Sequence, residues 1–204
     1  VRIVHVTDFY LPRLGGIETH VHDLAWQQYL AGHDVEILTS SPGPADEGPK
    51  TGGPLVHRIN ALGRASTALR PDVLQSGRAL LRAGRYHVVH VHAGPVSPLA
   101  FAAMTLASGT ATVVTAHSLL GYLQPAFRLL DGVVGWSRWP VTWTAVSEVA
   151  AAPLRRLVAP APVHVLPNGI DIARWRVEPL PRDRADVLVV AVMRLAARKR
   201  PGPM

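Results

Sequence analysis

Cysteine is absent from all 204 residues. That excludes disulfides and thiolate metal sites, and it suits a reducing compartment. Lysine is nearly absent too. Only Lys50 and Lys199 occur, so almost all of the +7 net charge, and the pI near 10.7, rests on arginine. Such a balance favours anionic partners, among them phosphorylated metabolites and acidic membrane surfaces. Nucleic acid is not expected, because no basic tail or stacking-aromatic motif accompanies the charge and aromatics are only 6% of the chain. Residues 86–127 contain no Asp, Glu, Lys or Arg. They are broken by Gly94, Pro95, Pro98, Gly109 and Gly121, so the unbroken apolar run of ~20 residues that a transmembrane helix requires is missing. With 48% hydrophobic residues, this stretch reads as the buried centre of a globular fold. The first residues enter a strand directly, with no charged-then-apolar leader, so no secretion signal is expected.

What is present alternates between two periodicities. Arg2-Ile3-Val4-His5-Val6-Thr7 is a β-branched run that predicts a buried strand. A loop with Pro12 and Gly15-Gly16 follows, then Ile17, Val21, Leu24, Ala25 and Leu30 at helical spacing, with Gly32 closing the helix. Val35 to Thr39 predicts a second strand, which completes a strand–helix–strand unit. Pro42 to Pro54 predicts a loop and Leu55 to Asn60 a strand. Pro71 starts a helix with Arg78, Arg82 and Arg85 on one face. That face is either a solvated basic surface or one that lies on anionic lipid headgroups. Strands follow at His87 to His92, Ala111 to Ala116, Thr142 to Val146 and Val163 to Leu166. A helix spans Pro98 to Ala107, and another is capped by Ser147. His90 and His92 share a strand face and are either structural or metal-binding, with no cysteine or nearby carboxylate to complete a metal site. From Ile170 to Asp186 the composition becomes charged and proline-containing, and Val187 to Val192 is again a buried-strand pattern. Alternation of this kind makes a mostly parallel sheet covered on both faces, an α/β fold.

In such sheets ligands bind past the carboxyl ends of the strands. Gly15 and Gly16 stand there, at a turn where glycine permits φ > 0 or close approach of a ligand to the backbone. The helix that follows directs free N–H groups and its positive dipole end at the same loop. This is either a phosphate site or a tight turn without a ligand. His117 also lies just past a strand end, either hydrogen-bonded for structure or beside a ligand.

Five motifs in order carry a resemblance: Gly-Gly-Ile-Glu-Thr-His from Gly15, Val-Val-Thr-Ala-His ending at His117, Thr-Ala-Val-Ser-Glu from Thr144 to Glu148, Val-Leu-Pro-Asn-Gly-Ile-Asp ending at Asp171, and Arg194 with Lys199 five residues on. Together they resemble the family 4 retaining glycosyltransferases of GT-B fold, over essentially the whole chain. The resemblance implies the N-terminal half of a GT-B fold. Residues 1–169 would form the acceptor-side Rossmann-like domain, 170–186 the interdomain linker and 187–204 the beginning of a donor-binding domain. The family's second domain runs on for well over a hundred residues and carries a Glu-x7-Glu motif that this sequence does not contain.

The resemblance further implies transfer of a hexose from a UDP- or GDP-sugar, with retention of configuration, to an unknown acceptor. Gly15, Gly16, Arg194 and Lys199 would bind the donor diphosphate, and His117 would stand at the reaction centre. No cofactor and no metal are implied, consistent with the lack of any Asp-x-Asp pair. The expected location is cytoplasmic, with peripheral contact to the inner membrane face through Arg78, Arg82 and Arg85. Two alternatives stand beside this: a non-catalytic Rossmann-like module that binds an acceptor, a membrane surface or a partner chain, and a nucleotide-sugar 2-epimerase. The Gly-Gly-Ile-Glu and Arg-x4-Lys patterns favour the transferase over the epimerase.

Overall fold

Among the described residues the β-branched runs become seven strands of one sheet. The computed structural model describes residues 1–43, 52–59, 71–94, 97–106, 109–118, 124–176, 178, 190 and 192. In order the elements are β1 (Arg2–Thr7), α1 (Gly16–Leu30), β2 (Asp34–Thr39), β3 (Leu55–Arg58), α2 (Pro71–Ala83), β4 (Val88–Ala93), α3 (Pro98–Leu106), β5 (Ala111–Ala116), α4 (Gln124–Val134), a 3-10 turn (Trp136–Arg138), β6 (Thr142–Ala145), α5 (Glu148–Val158) and β7 (Val163–Val165). All seven strands lie in the compact unit Val1–Ile170. A second unit, Asp171–Met204, includes the four-residue helix α6 (Ile172–Trp175). The expected strand at Val187 to Val192 falls mostly outside the described residues, and Arg194 and Lys199 fall wholly outside them.

The strand order is β3-β2-β1-β4-β5-β6-β7, and every pairing is parallel. The order reverses between β1 and β4, which makes their carboxyl ends the topological switch point. Alternation along each strand then divides the side chains between two faces. Val4 and Val6 of β1, Val89 and Val91 of β4, and Val114 and Ala116 of β5 pack with Leu99, Ala103, Phe127, Leu154 and Leu157 of α3, α4 and α5. On the other face Val35, Ile37 and Val56 pack with Val21 and Ala25 of α1. The intervening residues His5, His90, His92, Thr115 and Thr144 are buried polar groups. The sheet therefore has one apolar face and, under and beside α1, a polar lane.

Three local expectations change. Leu30 is not on the buried stripe of α1 and is 63% exposed. Arg85 lies past the end of α2, in a turn at φ 47°, while Arg78 and Arg82 are on the helix; all three are exposed. The helix α4 and the 3-10 turn after it occupy a stretch where no element was expected. Ser147 caps α5 as expected, its Oγ accepting from Ala150 N–H at 3.2 Å.

Candidate active site

The carboxyl ends of β1, β4 and β5 meet at the switch point. After β1 the chain turns at once. Thr7 Oγ1 donates to Phe9 C=O at 2.9 Å, and Ser41 Oγ both accepts from Tyr10 N–H and donates to Asp8 C=O. The Asp8 carboxylate is buried and accepts from Leu99 N–H at 3.1 Å, Ala100 N–H at 3.0 Å and Ser40 Oγ at 3.1 Å. It thus caps α3 from a different element, satisfying two N–H groups that the helix leaves open. Burial raises its pKa, while these hydrogen bonds act in the opposite sense.

Gly15 is the N-cap of α1, and among the described residues no side chain caps this helix end. Its φ of −173° is extended backbone, so the positive φ entertained for the Gly-Gly turn is not used. Close approach is what glycine provides. A Cβ on Gly15 would lie 2.2 Å from Glu18 Oε2, whereas one on Gly16 would meet nothing within 4 Å among the described residues. Glu18 is buried in the first turn and pairs with Arg13 Nε at 3.2 Å; the Arg13 guanidinium also lies over the Phe9 ring. One side of the helix end is therefore filled by the chain's own carboxylate, and the open side is that of Gly16.

Beside this end lie five imidazoles. His5 Nδ1 and His92 Nε2 are 3.0 Å apart, and His92 Nδ1 and His117 Nε2 are 2.9 Å apart. His5 Nε2 meets Gln28 Oε1 of α1 at 2.7 Å. His90, whose ring centroid is 4.1 Å from that of His92, meets Thr115 Oγ1 at 2.7 Å. His20 of α1 stands with its ring 5.3 Å from that of His117, which brings the helix that begins at Gly16 against His117. Burial lowers the pKa of all five: His5 to about 4 and His117 to about 3, His90 and His92 well below 6.5, and His20 below 6.5. Mutual repulsion adds to this for all except His20, so the cluster is neutral at physiological pH.

Two sets, His5/His90/His92 and His20/His92/His117, each bring three ring nitrogens within 4.8 Å of one another. His92 belongs to both, and both of its nitrogens are engaged by other imidazoles. The geometry is that of a hydrogen-bond chain, and a metal would have to break it.

Of the residues singled out in the sequence, Gly15, Gly16 and His117 are described, and α1 with its His20 joins the glycine turn to His117. Arg194 and Lys199 lie outside the described residues. His5, His20 and Gln28 were missed as members of the site. The available signal was parity: His5 occupies the same alternate position in its strand as His90 and His92 do in theirs.

A profile described as Glycosyltransferase Family 4 matches residues 14–174. The chain is 28% identical over 217 positions to an Arabidopsis thaliana protein named as one of the subunits of phosphatidylinositol N-acetylglucosaminyltransferase, with 98% of this chain and 46% of that protein covered. A Homo sapiens protein of the same name is 29% identical, with 97% and 42% covered. A Mycobacterium tuberculosis GDP-mannose-dependent alpha-(1-6)-phosphatidylinositol dimannoside mannosyltransferase is 32% identical over 111 positions, 44% of this chain and 29% of that protein. The chain spans less than half the length of each of these curated relatives. Among the described residues, no helix is long and apolar enough to cross a membrane.

Proposed function

This chain belongs to glycosyltransferase family 4, and from that premise we propose that it forms the acceptor side of an enzyme transferring a hexose from a UDP- or GDP-sugar with retention of configuration. Residues 1–169 are the acceptor-side domain, 170–186 a linker and 187–204 part of a donor-binding domain. The acceptor is a lipid with an inositol headgroup. Both kinds of relative carry phosphatidylinositol in their names, and the mycobacterial one is GDP-mannose-dependent. Arg78, Arg82 and Arg85, all exposed, meet the anionic surface in which such a lipid sits, a peripheral contact on the cytoplasmic side.

One observation carries the proposal. The uncapped, open-sided start of α1 at Gly16 and the neutral imidazole of His117 lie at one switch point, linked by His20. During transfer the bond from the anomeric carbon to the diphosphate oxygen breaks and a bond to the acceptor oxygen forms, with the acceptor proton passing to the leaving diphosphate. Negative charge grows on that diphosphate as it leaves. The N–H groups at Gly15 and Gly16, at the positive end of α1, oppose it together with Arg194 and Lys199. Fixed donors and cations supply what a metal would otherwise supply, so no metal takes part. His117, held neutral, lies beside the transferred sugar.

The test is incorporation of labelled sugar from UDP- and GDP-hexoses into phosphatidylinositol vesicles by the protein at its relatives' length, with and without His117→Ala. Label entering lipid from one donor, reduced ~10²-fold or more by the substitution, supports the proposal. Undiminished transfer by His117→Ala contradicts the role of His117, and no incorporation from either donor contradicts the substrate class.

A further inference from the structure

We infer that Gln28, His5 and His92 form a directional hydrogen-bond chain that fixes His117 in one tautomer, with its Nε2 protonated and its Nδ1 left as a lone pair. Gln28 and His92 are then positioning residues for the candidate active site. The consequence for transfer rests on the role proposed for His117; the chain itself does not.

Register places the members on a diagonal. His5 is opposite His90, His92 is opposite Thr7, and Thr115 is opposite His92. Each step from His5 to His92 to His117 therefore crosses one strand and advances two residues toward the carboxyl ends. Because the advance is two residues, all three rings stay on one face of the sheet. The line begins at Gln28, in the last turns of α1, and ends at His117, just past the carboxyl end of β5.

A neutral imidazole has one N–H and one lone pair. His5 and His92 each use both nitrogens, so the chain runs wholly one way or wholly the other. A mixed arrangement would set two lone pairs or two hydrogens against each other in a buried site. Gln28 decides the direction. Its Oε1 accepts from His5 Nε2–H, so His5 Nδ1 accepts from His92 Nε2–H and His92 Nδ1 accepts from His117 Nε2–H. Among the described residues nothing bonds His117 Nδ1, which therefore offers a lone pair to a hydroxyl or N–H of a ligand. A neighbouring branch runs independently. Thr144 Oγ1 donates to Val114 C=O at 3.2 Å and is 2.6 Å from Thr115 Oγ1. The proton of Thr115 is thus spent on Thr144, and Thr115 accepts from His90 Nε2–H. His90 packs on the chain without joining it.

Burying imidazoles where aliphatic side chains would pack is costly unless every nitrogen is partnered. The opposite sheet face, built from Val4, Val6, Val89 and Val91, carries no such cost. A structural role requires only that the nitrogens be satisfied; it requires no particular direction. Direction is therefore what the test reads.

The experiment is long-range ¹H–¹⁵N correlation spectroscopy of the histidine-labelled 204-residue chain, for the wild type, Gln28→Glu and Gln28→Lys. Gln28 is only half buried, which allows either side chain its charge. Glu offers only acceptors and keeps the direction; Lys offers only donors and reverses it. In the wild type and Gln28→Glu, His117 Nε2 is expected to be pyrrole-like and Nδ1 pyridine-like, and in Gln28→Lys the two exchange. A wild-type His117 protonated at Nδ1 overturns the inference without recourse to any variant. So does one unchanged tautomer in both variants. Transfer that survives His117→Ala would instead remove the functional role of His117 and leave the tautomer result standing.

Discussion

Acidification should unfold this chain at a pH that most domains tolerate, because neutral histidines are buried in it. In the unfolded chain each has a pKa near 6.5. In the folded chain His5 sits at about 4 and His117 at about 3, with His90 and His92 well below 6.5, burial being the first cause in each. A histidine whose folded pKa is depressed binds fewer protons folded than unfolded. Stability is then fully present above pH 6.5 and is lost as pH falls from 6.5 toward the folded values. For His5 alone, the fall from 6.5 to about 4 amounts to about 3 kcal/mol. Near pH 5.5 the four together make unfolding take up close to four protons, a slope of roughly 5 kcal/mol per pH unit. Against a typical stability of about 5–15 kcal/mol, the folded state should be gone within roughly one to three pH units below 6.5. Asp8, whose pKa is raised by burial, acts in the opposite sense, one group against four. The assay is urea unfolding followed by circular dichroism at half-unit steps from pH 7.5 to 5. His90→Val should flatten the slope by about one proton. A wild-type slope below about 1.4 kcal/mol per pH unit would refute a neutral, buried cluster.

Three further outcomes follow from the geometry. Gly15→Ala places a Cβ 2.2 Å from Glu18 Oε2, the far end of a flexible side chain that can swing aside, and should cost about 1 kcal/mol or less through the disturbed pairing with Arg13; Gly16→Ala, with nothing within 4 Å of its Cβ among the described residues, should be neutral or stabilise by up to about 1 kcal/mol. Thermal melts of the two variants check the contrast. Asp8→Ala leaves Leu99 N–H and Ala100 N–H without their acceptor inside the molecule, and urea titration should show a loss of about 2–4 kcal/mol. Replacing Arg78, Arg82 and Arg85 together with Gln should weaken binding to anionic vesicles by about 3 kcal/mol, roughly 100-fold, at low salt, as read by co-sedimentation. Neutral vesicles should bind neither form.

The order of elements was legible from β-branched runs and helical spacing because a parallel sheet buried on both faces leaves few alternatives. The position of His117 past a strand end was legible for the same reason. What surrounds it was not. His5 and His92 are 87 residues apart, and only the pairing of β1 with β4 brings them together. Gln28 gave no signal, since a glutamine late in a surface helix is ordinary until its partner is known. The turn at Gly15-Gly16 suggested left-handed backbone or close approach of a ligand; the backbone at Gly15 is extended, and the missing Cβ leaves room for Glu18. The helix α4 escaped notice because it follows a glycine- and proline-interrupted stretch. Arg85 fell off the helix because α2 ends at Ala83 and the chain turns at Gly84 before β4.

In the proposed function a nucleotide-sugar diphosphate sits at the start of α1 beside His117. The decisive measurement of that placement is a titration of the ¹⁵N-labelled 204-residue chain with UDP, GDP and their hexose conjugates, following backbone amides and histidine rings together. Saturable shifts are expected at the Gly15 and Gly16 amides and at the His117 ring, with one nucleotide preferred and the hexose conjugate moving His117 further than the nucleotide alone. Saturable binding that moves other residues and leaves these three in place would contradict it.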